Sequence, residues 1–177
     1  EVMPGVAELL AALRQRGIRS GVISNLGWTG EALTDRLHQL LPEHNFEFVI
    51  ASSDYGVRKP NPLIFRAALA RANLSPEDVW FCGDQIDADV FGAQAAGIFP
   101  VWYDCDSVPN GFARKNAGLT ITSEHLHIHH WSELQGLCPR TPAQGSLTLE
   151  NPILGTTISI IKRKRLATRT AWASLAV

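Results

Sequence analysis

Residues 1–104 alternate apolar runs of about five residues with amphipathic runs of about ten, and this rhythm constrains the fold more than any other feature of the chain. Pro4-Gly5 opens an amphipathic run carrying Val6, Leu9, Leu10 and Leu13, and Gly17 closes it as a helix-terminal glycine. Ile18–Ile23 reads as a strand. Thr29 is placed to cap a helix carrying Leu33, Leu37, Leu40 and Leu41, which must stop before Pro42. Phe46–Ala51 is the next strand, and Asn61-Pro62 sets an N-cap beside a proline at the first helical position of a run through Leu63, Ile64, Ala67, Ala68 and Leu69. Ser75-Pro76 turns the chain into a strand Val79–Cys82. A small-residue helix from Ala88 to Ala96 ends at Gly97, and Phe99–Tyr103 is a further strand. Helices alternating with short apolar strands predict an α/β fold with a parallel sheet covered on its faces.

Ligands of such sheets gather at the C-terminal ends of the strands, so the first polar residues after each strand are the candidates for chemistry. These are Ser24-Asn25, Ser52-Ser53-Asp54, Gly83-Asp84 and Asp104-Cys105-Asp106. Asp84, Asp87 and Asp89 crowd a strand end and the start of the next helix, where like charges repel unless a cation sits among them. Oxygen donors without His or Cys favour a hard ion, magnesium over zinc, with Asp84 the better ligand and Asp87 better read as a helix cap. The Ser24 hydroxyl with its neighbouring backbone N–H groups can hold a phosphoryl oxygen, and Lys59 can neutralise charge that develops during transfer. Taken singly, a strand-terminal serine is a turn former and a lone lysine a solvated charge.

In order, Val22-Ile23-Ser24-Asn25, then Ser52 to Phe65 with Gly56-Val57-Arg58-Lys59-Pro60 inside it, then Gly83-Asp84 to Gly92-Ala93 and Ala96-Gly97, closely resemble the second, third and fourth motifs of the haloacid dehalogenase superfamily, over about residues 2–104. The chain looks most like the subfamily whose helical cap is inserted between the first and second motifs. The resemblance implies a Rossmann-like three-layer sandwich, incomplete at its N-terminus, in which residues 1–138 form the core without its first strand and cap. It implies phosphate binding by Ser24 and Asn25, charge stabilisation by Lys59, and a magnesium ion on Asp84, with Asp89 supporting either the metal or the lysine. Gln85 and Asn61 depart from the usual residues without touching this chemistry. The implied activity is magnesium-dependent hydrolysis of a small phosphorylated metabolite through an aspartyl-phosphate. The first motif, an apolar strand followed by Asp-x-Asp, has no counterpart here. Asp87-Ala88-Asp89 belongs to the fourth motif, and Asp104-Cys105-Asp106 falls after it, so no nucleophile is assigned. In the family the nucleophile's strand lies between those preceding Ser24 and Asp84, so another segment must fill that slot or the sheet must close or split; Thr156–Ile161 has the β-branched content for it. The alternatives are a non-catalytic fragment or binding module and, within the family, a haloacid dehalogenase or a sugar phosphomutase. Gly83-Asp84 disfavours the dehalogenase, because displacing halide from carbon needs no magnesium.

The rest of the chain adds limits. Residues 1–139 hold ten Lys/Arg and sixteen Asp/Glu, a net −6, and an acidic body of this kind argues against nucleic acid as the main ligand. Residues 140–177 hold six Lys/Arg and one acid, a net +5, in a tail that opens with a linker-like stretch at 139–145 and shows no α/β rhythm. Its basic run Lys162-Arg163-Lys164-Arg165 reads as a solvated or disordered tail rather than a binding patch. His125, His127 and His129 alternate onto one strand face where three imidazoles can hold zinc, but no carboxylate pattern accompanies them, and an edge strand with a polar outer face is the better reading. Cys82, Cys105 and Cys138 have no CxxC spacing, which fits a reducing compartment, and no signal-like leader or membrane-length apolar run occurs. A cytoplasmic protein that does not contact membrane is expected, with the reservation that Glu1 is no initiator and a targeting signal can have preceded it.

Overall fold

The computed structural model describes residues 2–104 and 116–138, together with the backbone of 170–173. In chain order the elements are α1 (Val6–Gln15), β1 (Val22–Ser24), α2 (Gly30–Leu40), β2 (Val49–Ala51), α3 (Ser52–Tyr55) and α4 (Pro62–Ala72). After these come β3 (Val79–Gly83), a π-helical segment Ile86–Phe91 that runs into α5 (Gly92–Ala95), β4 (Phe99–Tyr103), β5 (Leu126–Ile128), α6 (Trp131–Leu137) and β6 (Thr170–Ala173). The strands form one sheet in the order β2-β1-β6-β3-β4-β5, and every pairing is parallel.

Side chains that alternate along the strands divide the core in two. Val22, Cys82, Val101, Tyr103 and Ile128 face one way, into a layer with Val6, Leu9, Leu10 and Leu13 of α1, Leu33 and Leu37 of α2, and Trp131 and Leu134 of α6. Ile23, Ile50, Val79 and Phe81 face the other, against Ile64, Phe65, Ala68 and Leu69 of α4 and Ala93 of α5. The molecule is thus an α/β three-layer sandwich with a parallel, Rossmann-like sheet. Among the described residues no helix is long and apolar enough to cross a membrane.

The capping signals work as the sequence suggests. Thr29 Oγ1 accepts from Ala32 N at 3.2 Å, and Asn61 Oδ1 accepts from Leu63 N at 3.0 Å with Pro62 at the helix start. The first strand is shorter than Ile18–Ile23, because Ile18 N–H donates back to the Leu13 carbonyl at 2.9 Å and closes α1 while Gly17 takes φ +65°. Helix formation after β3 begins earlier than Ala88, at Ile86, through the π-helical segment.

Between β1 and β3, where the family places its nucleophile strand, lies β6. Val22 is in register with Ala173, and Val79 to Cys82 are in register with Thr170 to Ala173. The slot is therefore filled, by a different part of the tail than Thr156–Ile161, which lies outside the described residues. The linker at 139–145, the run Lys162–Arg165, Cys105 and Asp106 also lie outside them.

Candidate functional site

Because all strands are parallel, the ends of β1 and β3 open on the same edge of the sheet. Ser24 is the last residue of β1 and is buried; Asp84 follows Gly83, the last residue of β3, and is half-buried. Lys59 reaches this edge from the loop between α3 and α4. Its Nζ donates to the Ile23 carbonyl at 3.2 Å and pairs with Asp89 Oδ1 at 2.7 Å, the two side chains being 3% and 1% exposed. The Phe81 ring centroid lies 5.3 Å from the same nitrogen. An ion pair so far from water is held by partners on both members, since either charge alone in that position would be strongly unfavourable.

Asp89 owes its direction to the π-helical segment. The Asp89 and Val90 N–H groups both donate to the Gln85 carbonyl, at 2.8 and 3.3 Å, and Asp89 Oδ2 accepts from Gln85 N at 2.9 Å. The widened turn lays the carboxylate over Gly83, where a Cβ would collide with Asp89 Cβ, Cγ and Oδ2. Glycine before Asp84 is thus a space requirement. Of the three carboxylates crowded in the sequence, Asp89 and Asp87 have protein partners. Asp89 turns to Lys59 and the Gln85 N–H, and exposed Asp87 accepts from Ala88 N at 2.7 Å. Of the two supporting roles left open for Asp89, the geometry provides the pairing with lysine.

Asn25 clamps the lysine loop. Its Nδ2 donates to the Lys59 carbonyl at 2.9 Å and its Oδ1 accepts the Lys59 N–H at 2.8 Å, while the Lys59–Pro60 peptide is cis. The Asn25 side chain is thus engaged with the Lys59 backbone. The polar residues after β2 serve the neighbouring loop in a similar way. Ser52 Oγ accepts from Leu26 N at 3.2 Å and donates to its carbonyl at 3.1 Å, Ser53 donates to the Trp28 carbonyl, and Asp54 Oδ2 accepts from Gly30 N at 2.7 Å. Asn116 had no signal in the sequence, yet it secures the turn after β3: its Nδ2 donates to the Asp84 carbonyl at 2.8 Å and its Oδ1 accepts from Ile86 N at 2.8 Å.

As donors, Asp84 and Asp89 offer carboxylate oxygens, while the thiol of Cys82 is fully buried, and burial, then Cys138 and Asp89, push its pKa far upward. The set fits a hard divalent cation in kind. Asp104 stands at the end of β4, outside the β1–β3 slot, and its Oδ2 lies 3.2 Å from His127 Nε2. It is not placed as a nucleophile beside Ser24. The carboxylate missing from the histidine cluster is supplied here: Asp104, His127 and His129 each bring one donor atom within 4.8 Å of the other two.

Comparison with known proteins bears on the family and the fold. A family described as haloacid dehalogenase-like hydrolase matches residues 1–97, more than half of the chain. Over 103 residues the chain is 32% identical to a glyceraldehyde 3-phosphate phosphatase of Pyrococcus furiosus, covering 57% of this chain and 41% of that protein. It is 33% identical over 101 residues to a phosphoserine phosphatase of Thermus thermophilus, covering 57% and 40%. The chain therefore spans about two-fifths of the length of these curated relatives. A phosphatase of the same superfamily from Thermococcus onnurineus superposes with a TM-score of 0.63 at 25% identity, over 80% of this chain and 60% of that one. By sequence, by fold and by the placing of Ser24, Lys59 and Asp84 on one sheet edge, the chain belongs to the haloacid dehalogenase-like hydrolase family.

Proposed function

We propose that this chain carries the phosphate-holding and charge-balancing side of a magnesium-dependent phosphatase centre that acts on a small phosphorylated metabolite. The observation that carries the reading is the buried Lys59–Asp89 pair, which reaches from the Ile23 carbonyl before Ser24 to Gly83 before Asp84, across the C-terminal edge of the sheet. A cation held there at a fixed position is suited to the charge on the oxygens of a transferring phosphoryl group, and the Ser24 hydroxyl is suited to donate to one of them. Asn25 keeps Lys59 in place, and its own backbone N–H is its remaining means of meeting phosphate. Asp84, supported by Asp89, would hold magnesium, which when bound neutralises phosphoryl oxygens and orients them. In the complete centre an aspartate attacks phosphorus, forms an aspartyl-phosphate and gives it up to water. The relatives named as phosphatases of glyceraldehyde 3-phosphate and phosphoserine support the substrate class.

A second reading, a non-catalytic module of the same fold, is favoured by one observation. The strand in the central slot, Thr170–Ala173, is followed in the sequence by Ser174-Leu175-Ala176-Val177, with no carboxylate. One experiment separates the two readings: hydrolysis of a generic aryl phosphate with magnesium, by residues 1–177 and by a version carrying an apolar strand with Asp-x-Asp ahead of Pro4. The phosphatase reading expects turnover in the extended protein that Asp84→Asn abolishes without unfolding it. Absence of turnover there, in a folded protein, would leave the module.

A further inference from the structure

Asp104, His127 and His129 lie at the same edge of the sheet as Ser24 and Asp84 but at its other side, where β4 meets β5. From these three residues we infer a second metal site, selective for a first-row divalent ion of the zinc type and separate from the magnesium chemistry.

The three are far apart in sequence and are joined by the sheet. Asp104 directly follows β4, His127 is the middle residue of β5, and His129 directly follows β5. The parallel register sets Trp102 beside His127 and Tyr103 beside Ile128, and the Asp104 N–H donates to the Ile128 carbonyl at 2.8 Å, so the backbone beneath all three is part of the ladder. The rings are fixed as well. His127 stacks on Trp102 with centroids 4.1 Å apart and planes 18° apart, and its Nε2 lies 3.2 Å from Asp104 Oδ2. His129 Nδ1 lies 2.9 Å from the Asp104 carbonyl. A carbonyl oxygen only accepts, so that nitrogen carries the proton and the lone pair of the neutral ring sits on Nε2. The His129 backbone N–H donates to Glu133 Oε1 at 2.8 Å from the first turn of α6. A ring oriented by a carbonyl, on backbone held by a carboxylate, is the kind of outer support that metal-ligating histidines receive.

Donor atoms from all three residues lie within 4.8 Å of one another, a spacing that one ion can draw together through small rotamer changes. Two imidazoles and one carboxylate are wrong for magnesium, which takes oxygen, and right for zinc, which accepts both. A cation between His127 Nε2 and Asp104 Oδ2 takes the place of the hydrogen shared there, and the proton leaves to solvent. The side chains of His127 and Asp104 are 38% and 39% exposed, so an ion can enter and a fourth position stays open to water. His125 lies on the same face, but its ring is 6.5 Å from that of His127, and it is not among the three residues whose donor atoms come within 4.8 Å of one another.

The test is titration of the whole chain with zinc chloride against a chromophoric chelator, in buffer containing magnesium. One ion is expected per chain. The double substitution His127→Ala, His129→Ala should weaken binding by at least about 100-fold, the upper end of what loss of an outer partner alone costs. His125→Ala should bind as the unsubstituted protein does. Zinc should also raise the melting temperature of the unsubstituted protein and not that of the double variant, a readout independent of any catalytic activity. Three results would overturn the inference: no zinc uptake in excess magnesium, undiminished binding by the double variant, or a loss in His125→Ala as large as in the double variant. Undiminished binding by the double variant would move the ion to other histidines, such as His38 and His44, whose rings stack at 4.5 Å.

Discussion

A single lysine amine organises this edge of the sheet. Lys59 is 4% exposed, and its charge is balanced by Asp89, the most deeply buried acid among the described residues at 1%. Removing one member of such a pair leaves the other charge buried and uncompensated, which costs about 3–5 kcal/mol, whereas replacing both with neutral groups costs much less. Lys59→Met is therefore expected to lose about 3–5 kcal/mol of stability, and adding Asp89→Asn is expected to return part of that loss. Asparagine keeps an oxygen for the Gln85 N–H, so the cycle isolates the charge. Urea denaturation of the two single variants and the double variant checks it. Effects that add to within about 0.5 kcal/mol would mean that the pair is not coupled. The residue scale was only partly legible in the sequence. Ser24, Lys59 and Asp84 could be picked out because each follows a strand in a recognisable order. That Asn25 holds the Lys59 backbone, and that Asn116 holds the turn at Asp84 from 32 residues away, follows from loop paths that no local pattern encodes.

At the scale of elements, the segment from Ile86 to Phe91 is the one whose form the sequence misses and the site requires. Small residues from Ala88 to Ala96 suggest an ordinary helix, and nothing in their spacing announces a π-helical turn. The turn arises where Asp89 must lie over Gly83 while the chain passes on to pack Ala93 against the sheet, a demand set by tertiary contact. Gly83→Ala would put a Cβ against Asp89 Cβ, Cγ and Oδ2. Overpacking of this kind is expected to cost about 1–3 kcal/mol by forcing the carboxylate away from Lys59. In an Asp89→Gly background, which removes all three of the crowding atoms, the same substitution should cost less. Thermal melts of the four proteins test this, and an equal cost in both backgrounds would show that the glycine serves its backbone and not its neighbour. The helices α1, α2 and α4, by contrast, were legible almost to the residue, since their caps are local chemistry and their apolar stripes match the two cores.

At the scale of the whole molecule, β6 decides whether there is one sheet or two. The strands β2 and β1 lie on one side of it and β3, β4 and β5 on the other, and it pairs with both β1 and β3. The need for a strand in this place could be argued from the family order alone, because unpaired N–H and C=O groups along two facing edges are costly when buried. Which segment answers that need could not. Thr170–Ala173 is too short and too mixed to stand out from the tail around it, and its strand form rests on ladder contacts to residues about 90 and 150 positions earlier. If the strand joins the two parts of the sheet, proline at its centre should divide them, since proline removes a donor and its ring does not fit a paired strand. In Ala171→Pro, amide exchange is expected to quicken in Val22–Ser24 and Val79–Gly83, the segments that flank β6. The β4–β5 pairing, which joins Val101–Tyr103 to Leu126–Ile128 and does not touch β6, should keep its protection relative to global stability. Hydrogen exchange read by mass spectrometry resolves these segments. Unchanged protection in both flanking strands would show that the sheet holds together without β6 and that the slot closes by direct contact of β1 with β3.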